Sequence, residues 1–246
     1  MVMRSPETMK SRFALDMLRP TTSERSRHRG SVDHSGVVPL PLDVVRSTEA
    51  RSVWRRALKP VLAELKFRTG KYRGIGGWSG WNRDAPPFRE FFWIQINHYG
   101  FDRYFGGEFV VEFELSSSER HTGIRDRMWR LLDVASRREV IRRNNQTIKA
   151  LPGPSGGVLQ MLPEGLKETY LRKFETIAEE PKSDTDVWFR YATHADVEAW
   201  GEFLASRLKD VITSSEQRLM DMPEGADVLL GRMRKAGEER WTSLDS

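Results

Sequence analysis

Two apolar, strand-like runs separated by a polar and aromatic turn constrain the fold more than any other feature of this sequence. The runs are Phe91–Asn97 and Phe109–Leu115, and the turn between them ends in Gly106-Gly107. Neighbouring residues of a strand point to opposite faces of its sheet, and the second run alternates at this period. One face receives Phe109, Val111, Phe113 and Leu115, and the other receives Glu108, Val110, Glu112 and Glu114. The sequence therefore predicts a central antiparallel hairpin in a sheet with one apolar and one solvated face.

The composition indicates a single folded domain and excludes several classes of protein. Of the 246 residues, 38% are hydrophobic and 30% are charged. No apolar run approaches the ~20 residues that a membrane-spanning helix needs. The sequence contains no cysteine, which excludes disulfides, thiolate nucleophiles and cysteine-ligated metals. A reducing, cytoplasmic location fits this composition, and the net charge of +5 is small beside 40 basic and 35 acidic residues.

The chain divides into an arm, a domain and a tail. Residues 1–45 have few sustained apolar positions and predict a disordered or loosely packed basic arm. Residues 46–222 are expected to form one domain with a helical insertion near 137–180. Residues 223–246 predict a peripheral helical tail.

Hydrophobic spacing places further helices and strands around the hairpin. The predicted helices begin at Thr48, with a kink or a break near Pro60, and cover 123–134, 163–178 and 193–219. The predicted strands cover 67–73 and 186–191. Together these elements predict an α+β fold, a small antiparallel sheet of about three to five strands with helices packed on one face.

A glycine-rich segment, Gly74–Trp81, predicts an aromatic-tipped binding loop. Trp78 and Trp81 offer stacking surfaces, and the cations beside them are Lys71, Arg73 and Arg83. Such a combination suits single-stranded nucleic acid or a protein partner. The alternative is that both tryptophans fold back as lids over the sheet. A phosphate-binding loop is disfavoured because no Gly-Lys-Ser/Thr ends the segment.

The segment from Arg125 to Lys149 is strongly basic, with eight cations against three acids. In a helix, Arg138 and Arg142 would share a face and form a stripe suited to phosphate contacts. The candidate nucleic-acid-binding residues are Arg137, Arg138, Arg142 and Arg143. The alternative is a solvated helix face neutralised by acids elsewhere in the fold.

Three carboxylates near the hairpin, Asp102, Glu112 and Glu114, are candidate Mg²⁺ ligands for phosphodiester cleavage. A solvated sheet face is the favoured interpretation, because the lysine that commonly follows such an acid by two positions is missing. His98 and His121 would complete an acid–base group with Asp102 if the hairpin end brought them together. None of the five histidines shows metal-binding spacing, so neither a metal nor a cofactor is expected.

Six short segments carry a resemblance to a known protein family. They are Leu58–Leu62, Leu65–Arg68, Ile94–Asn97, Phe109–Phe113, Val187–Phe189 and Asp196–Trp200. In order and character they are similar to the uncharacterised domain-of-unknown-function family 4304, over roughly residues 48–219 with an insertion near 137–180. This sequence has Lys66 where that family usually has glycine. The resemblance implies an α+β fold and brings no established activity or catalytic residues.

The sequence favours a non-enzymatic binding protein of the bacterial cytoplasm. Its expected partner is a protein, recognised by the Trp78/Trp81 loop and the solvated hairpin face, in defence or toxin neutralisation. Nucleic-acid binding through Arg137, Arg138, Arg142 and Arg143 is the first alternative. A metal-dependent nuclease built on the three hairpin carboxylates is the second.

Overall fold

The computed structural model of the protein describes residues 42–71, 79–117, 119–178 and 186–224. The predicted arm, apart from its last residues, and nearly all of the predicted tail lie outside these ranges. The helices are α1 Ser47–Glu64, α2 Met128–Leu131, α3 Val134–Ala150, α4 Gly156–Met161, α5 Glu164–Leu171 with a 3-10 turn at Arg172–Phe174, and α6 His194–Met220. The strands are β1 Arg68–Lys71, β2 Ser79–Ala85, β3 Phe88–Ile96, β4 Gly107–Ser117, β5 Thr122–Arg127 and β6 Phe189–Tyr191.

The strands form one antiparallel sheet in the order β1-β2-β3-β4-β5, with β6 also paired to β4. The β3–β4 hairpin lies at its centre, in a register that sets Ile96 opposite Phe109. One edge of β4 pairs with β3, and two strands share its opposite edge. Its first residues pair with β6 and its last residues pair with β5. The predicted central hairpin is therefore confirmed, and β4 is the strand on which the sheet is assembled.

Helices α1 and α6 pack against one face of the sheet and bury the apolar side of β4. The Phe109 ring lies 4.2 Å from the Trp54 ring and 5.8 Å from the Trp200 ring, measured between centroids. The Trp54 indole Nε1 donates a 3.0 Å hydrogen bond to the Val197 carbonyl, which satisfies its one polar group inside the core. The predicted α+β fold with helices on one face is confirmed.

The two long helices begin and continue for identifiable reasons. The Thr193 hydroxyl accepts from the Asp196 backbone N–H, and the Asp196 carboxylate accepts from the Thr193 N–H, which forms a capping box at the start of α6. In α1, where a kink or a break is predicted at Pro60, the helix is not broken and continues to Glu64. Pro60 is exposed, while Leu58 and Leu62 on either side of it are buried in the core cluster that α6 shares.

The predicted helix over 123–134 is wrong, because its first half is strand β5. Ile124 and Asp126 of β5 are buried, whereas Arg125 and Arg127 lie on the other face and pair with β4. This two-residue period is that of a strand. The long strand β4 has backbone groups at its edge that hydrogen-bond to β5. Only Met128–Leu131 continues as a helical turn.

None of the helices within the described ranges combines the length and the apolar character that crossing a bilayer requires.

Candidate nucleic-acid interface

Trp81, one of the two predicted binding tryptophans, lies in the core. It belongs to β2, is 9% exposed, and stacks on Phe92 with ring centroids 4.9 Å apart. Strand β2 already begins at Ser79, so the predicted loop is shorter at this end than Gly74–Trp81. The other tryptophan, Trp78, lies outside the described residues. Trp81 is therefore a core residue of the sheet itself, neither the exposed tip of a loop nor a lid folded back over the sheet.

Arg83, the third residue of that predicted loop site, is fixed by two carboxylates. Its guanidinium lies 2.5 Å from a Glu90 oxygen and 2.6 Å from a Glu216 oxygen, and it covers the Phe67 ring. Glu90 is 5% exposed, and this burial is the main cause that raises the pKa of its carboxyl to about 7. Arg83 thus joins the sheet to α6.

Two of the four predicted arginines of α3 are engaged by the protein itself. Arg137 donates to the carbonyls of Trp129 and Arg130, at 3.1 and 2.8 Å. Arg143 donates to the Ala199 carbonyl at 3.1 Å and its guanidinium covers the Trp200 ring. These side chains connect α3 to its neighbours and do not form an open phosphate-binding stripe.

The other two arginines, Arg138 and Arg142, lie on the exposed side of α3. Arg142 makes two hydrogen bonds to Glu139, at 2.7 and 2.6 Å. These bonds are the main cause that lowers the pKa of Glu139 to about 2. Arg138 and Arg142 border a cavity of about 470 Å³ together with Lys149. The predicted stripe is therefore reduced to one edge of the helix, where Glu139 already neutralises Arg142.

The acidic face of β4 is not solvated, contrary to the sequence prediction. Glu108 and Glu112 are each only 5% exposed. Glu112 forms ion pairs with Arg125 and Arg127 of the neighbouring strand β5. Glu108 lies 2.8 Å from Arg190 and 2.7 Å from Lys173. Buried carboxylates need such partners, and here β5, β6 and the 3-10 turn supply them.

Asp102 forms a turn. Its carboxylate accepts hydrogen bonds from the backbone N–H groups of Tyr104 and Phe105, at 2.7 and 3.2 Å. Across the described part of the chain, no group of three or more His, Asp or Glu side chains is arranged to hold a metal ion. Asp102 and Glu112 are both occupied by N–H donors, so the geometry lends the nuclease hypothesis no support.

The exposed side of α1 carries a set of cations that sequence reasoning passed over. The set, termed here the α1 basic face, consists of Arg51, Arg55, Arg56 and Lys59. Within the described ranges, no carboxylate forms an ion pair with any of them. The two acids of α1 stand near its ends and face other elements. Glu49 lies 3.7 Å from His194 and Glu64 lies 3.6 Å from Lys209. A local signal existed, since no acid occurs between Ala50 and Ala63.

Two adjoining cavities open beside this basic face. The first, of about 530 Å³, is lined by Arg51 and Arg55 of α1 and by Ser79, Gln95 and His98 among others. The second, of about 480 Å³, lies on the face of the sheet away from α1 and α6. Gln95 and His98 line both cavities, so the two lie next to each other, and together they are termed here the Gln95 groove.

The two amide side chains of the groove differ in how they are used. Asn97 donates to the Glu108 carboxylate at 3.0 Å and accepts from the Tyr99 backbone N–H at 3.2 Å. It thereby fixes the turn that holds Tyr99, whose side chain is exposed. The Gln95 amide, which is partly buried, makes no hydrogen bond within the described ranges. The groove therefore offers an exposed ring and an unengaged amide next to unpaired cations.

Comparison of the chain with protein-family models, with curated proteins and with solved structures gives no match. The resemblance to family 4304 therefore stays a prediction.

Proposed function

We propose that the protein binds nucleic acid and that the α1 basic face contacts the phosphate backbone. The observation that carries the proposal is the group of four exposed cations without a carboxylate partner among the described residues. Phosphate contacts by Lys and Arg release condensed counterions, and this release supplies most of the affinity in sequence-independent binding. Cations that are already paired within the protein contribute little to this part of the affinity.

The chemistry of the α1 face favours nucleic acid over a lipid surface or a protein. Membrane-surface helices bury large apolar side chains beside their cations. No large apolar residue of α1 is among the exposed ones in the described chain. Protein interfaces have apolar or aromatic centres, which the exposed side of α1 lacks among the described residues. A face made of three arginines and one lysine, next to a polar groove, matches a phosphate chain best.

The test is a fluorescence-anisotropy titration of labelled single-stranded and duplex DNA and RNA from about 50 to 200 mM salt. The variant is the triple change Arg51→Ala, Arg55→Ala and Lys59→Ala. Its matched control removes the same charge from α3 through Arg138→Ala, Arg142→Ala and Lys149→Ala. All six side chains are exposed, and circular dichroism checks that both variants fold.

We expect the α1 variant to lose affinity at every salt concentration and to bind with a shallower salt dependence. Each phosphate contact to a single strand contributes about 0.7 to the slope of log affinity against log salt, so three lost contacts reduce it by about 2. The α3 variant should keep most of the slope. Equal losses of affinity in both variants would indicate that only the net charge of the protein matters. A loss of affinity confined to the α3 variant would place the interface on α3. Absence of binding by the wild-type protein would refute the proposal.

Recognition of a protein partner is the second candidate function, favoured by apolar residues on α4 and α5. Met161 is 70% exposed and Leu166 is 43% exposed, while α4 has no buried residue. Exposed apolar side chains mark a protein contact where they form one contiguous patch, and this second candidate requires such a patch across the two helices. A photo-crosslinking residue at Met161 should give a discrete adduct that Leu166→Glu abolishes. A crosslinker at Lys149 serves as the control, and equal labelling from both positions would contradict a specific surface.

A further inference from the structure

We propose that the Gln95 groove accepts one unstacked base of a single strand, with the Gln95 amide on the base edge and the Tyr99 ring against the base plane. This inference rests on the proposed function, because the strand is held by phosphate contacts to the α1 basic face. It adds a substrate class, single-stranded over duplex nucleic acid.

The first step is the position of Gln95. It lines both cavities, and one of these also contains Arg51 and Arg55. In the proposed arrangement, a strand whose phosphates contact these arginines passes Gln95, and one base turns into the second cavity there. That cavity, at about 480 Å³, lies within the range of about 300 to 1,000 Å³ typical of ligand pockets.

The second step is the charge balance of the inner cavity. Its cations Lys173 and Arg190 are paired with Glu108, and its other acid, Asp186, is paired with Arg127 at 2.8 Å. The charges that line this cavity cancel one another, whereas those of the α1 basic face do not. A neutral polar group such as a base suits the first environment, and a phosphate suits the second.

The third step is the contrast between Gln95 and Asn97. The Asn97 amide is used at both ends, by Glu108 and by the Tyr99 backbone, and so supports the turn. Gln95 keeps one acceptor and two donors for a ligand, and an amide can form two hydrogen bonds to a base edge. A base that enters the cavity must leave its stack, which costs less in a single strand than in a duplex, so the pocket selects an unpaired base.

The fourth step is Tyr99. Its side chain is 56% exposed, and its ring centroid lies 3.7 Å from that of His98. Core packing therefore does not account for its position at the rim of the groove. Aromatic rings in such positions stack on bases of single strands, largely independently of sequence.

The experiment compares three short probes of equal charge per phosphate: a mixed-sequence single strand, an abasic strand and a duplex. Wild type should bind the base-bearing strand about tenfold tighter than the abasic strand, as expected for one stacked and hydrogen-bonded base. Gln95→Leu and Tyr99→Leu should each remove most of this preference and leave the salt dependence unchanged. Gln146→Leu, an exposed amide on α3, is the matched control and should have no effect.

The outcomes separate the two proposals. Equal affinity for the base-bearing and abasic strands, with loss of binding in the Arg51/Arg55/Lys59 variant, would overturn the base pocket and leave the phosphate interface. A preference for bases that survives both groove variants would also overturn it. A preference for duplex would overturn it as well. Failure of wild type to bind any probe would overturn both.

Discussion

Helices α1 and α3 carry similar numbers of basic side chains, yet the structure gives the two sets different roles. On α1, Arg51, Arg55, Arg56 and Lys59 are exposed and form no ion pair with a described residue. On α3, Glu139 stands three and four positions before Arg142 and Arg143 and pairs with both. Arg137 is bound to backbone carbonyls. Charge density along a sequence thus does not show which cations remain available to a ligand.

Under the proposed function, engaged cations stabilise the fold and available cations form the binding surface. Removal of a partner from an engaged cation should cost stability, because a buried charge is left unpaired. Removal of an available cation should leave stability nearly unchanged and reduce affinity instead. Each of the following changes tests one side of this distinction.

The largest effect is expected from Glu108→Ala. The carboxylate is 5% exposed and holds two cations, Arg190 and Lys173, so its loss leaves both without their carboxylate. Breaking a buried ion pair on one side costs about 3–5 kcal/mol in the free energy of unfolding. Urea denaturation measures the change. The matched control is Glu64→Ala, whose exposed pair with Lys209 is worth at most about 1 kcal/mol. Similar losses of unfolding free energy in both variants would contradict the distinction between engaged and available cations.

The next effect is a pH dependence that arises from Glu90. Its folded-state pKa is raised from 4.5 to about 7, so the folded protein retains a proton that the unfolded chain has released between these values. Stability therefore falls as the pH rises through this window, by at most about 3 kcal/mol. Glu90→Gln, which mimics the protonated carboxyl, should flatten the decline in unfolding free energy between about pH 5 and pH 8. If Glu90→Gln left the decline unchanged, groups other than Glu90 would be its cause, which would contradict this prediction.

Much of the fold was predictable because its signals are local. The alternation in Phe109–Leu115 predicted the central hairpin, and the sequence Thr193 to Asp196 predicted the start of α6. Strand β5 was mistaken for a helix, since Ile124, Met128, Leu131 and Leu132 also fit a helical spacing. These residues form a strand because they pair with the edge of β4, and that edge exists only in the assembled sheet.

The site was less predictable because pairing is a tertiary property. Glu108 and Glu112 alternate like solvated residues, and their partners Arg125 and Arg190 come from other strands. Burial of Trp81 likewise depends on Phe92 across the sheet. The gap in acids along α1 was visible in the sequence, but only the structure shows that no described neighbour fills it.

A smaller effect should separate two adjacent residues of α3. Arg143→Ala removes a hydrogen bond to the Ala199 carbonyl and a guanidinium packed over Trp200, which together contribute about 1–2 kcal/mol to stability. Arg142→Ala, in contrast, removes an exposed pair with Glu139 and should cost less than about 0.5 kcal/mol. Thermal or urea denaturation of the two variants measures the difference. If Arg142→Ala reduced the free energy of unfolding as much as Arg143→Ala does, the exposure of an arginine would not decide how much it contributes to stability.

The smallest expected effect is a gain of binding in Glu139→Gln. Glu139 neutralises the exposed Arg142, and its loss would release that guanidinium for phosphate while Arg143 keeps its bond to the Ala199 carbonyl. One added phosphate contact should raise affinity for single strands roughly two- to fivefold at low salt and steepen the salt slope by about 0.7. The matched control is Glu202→Gln, the same charge change at an exposed site of α6. If the two variants gained equally, net charge would explain the gain. A gain confined to Glu139→Gln would show that a single intrahelical acid makes Arg142 unavailable, whereas α1 has no acid between Ala50 and Ala63 that could do the same to its cations.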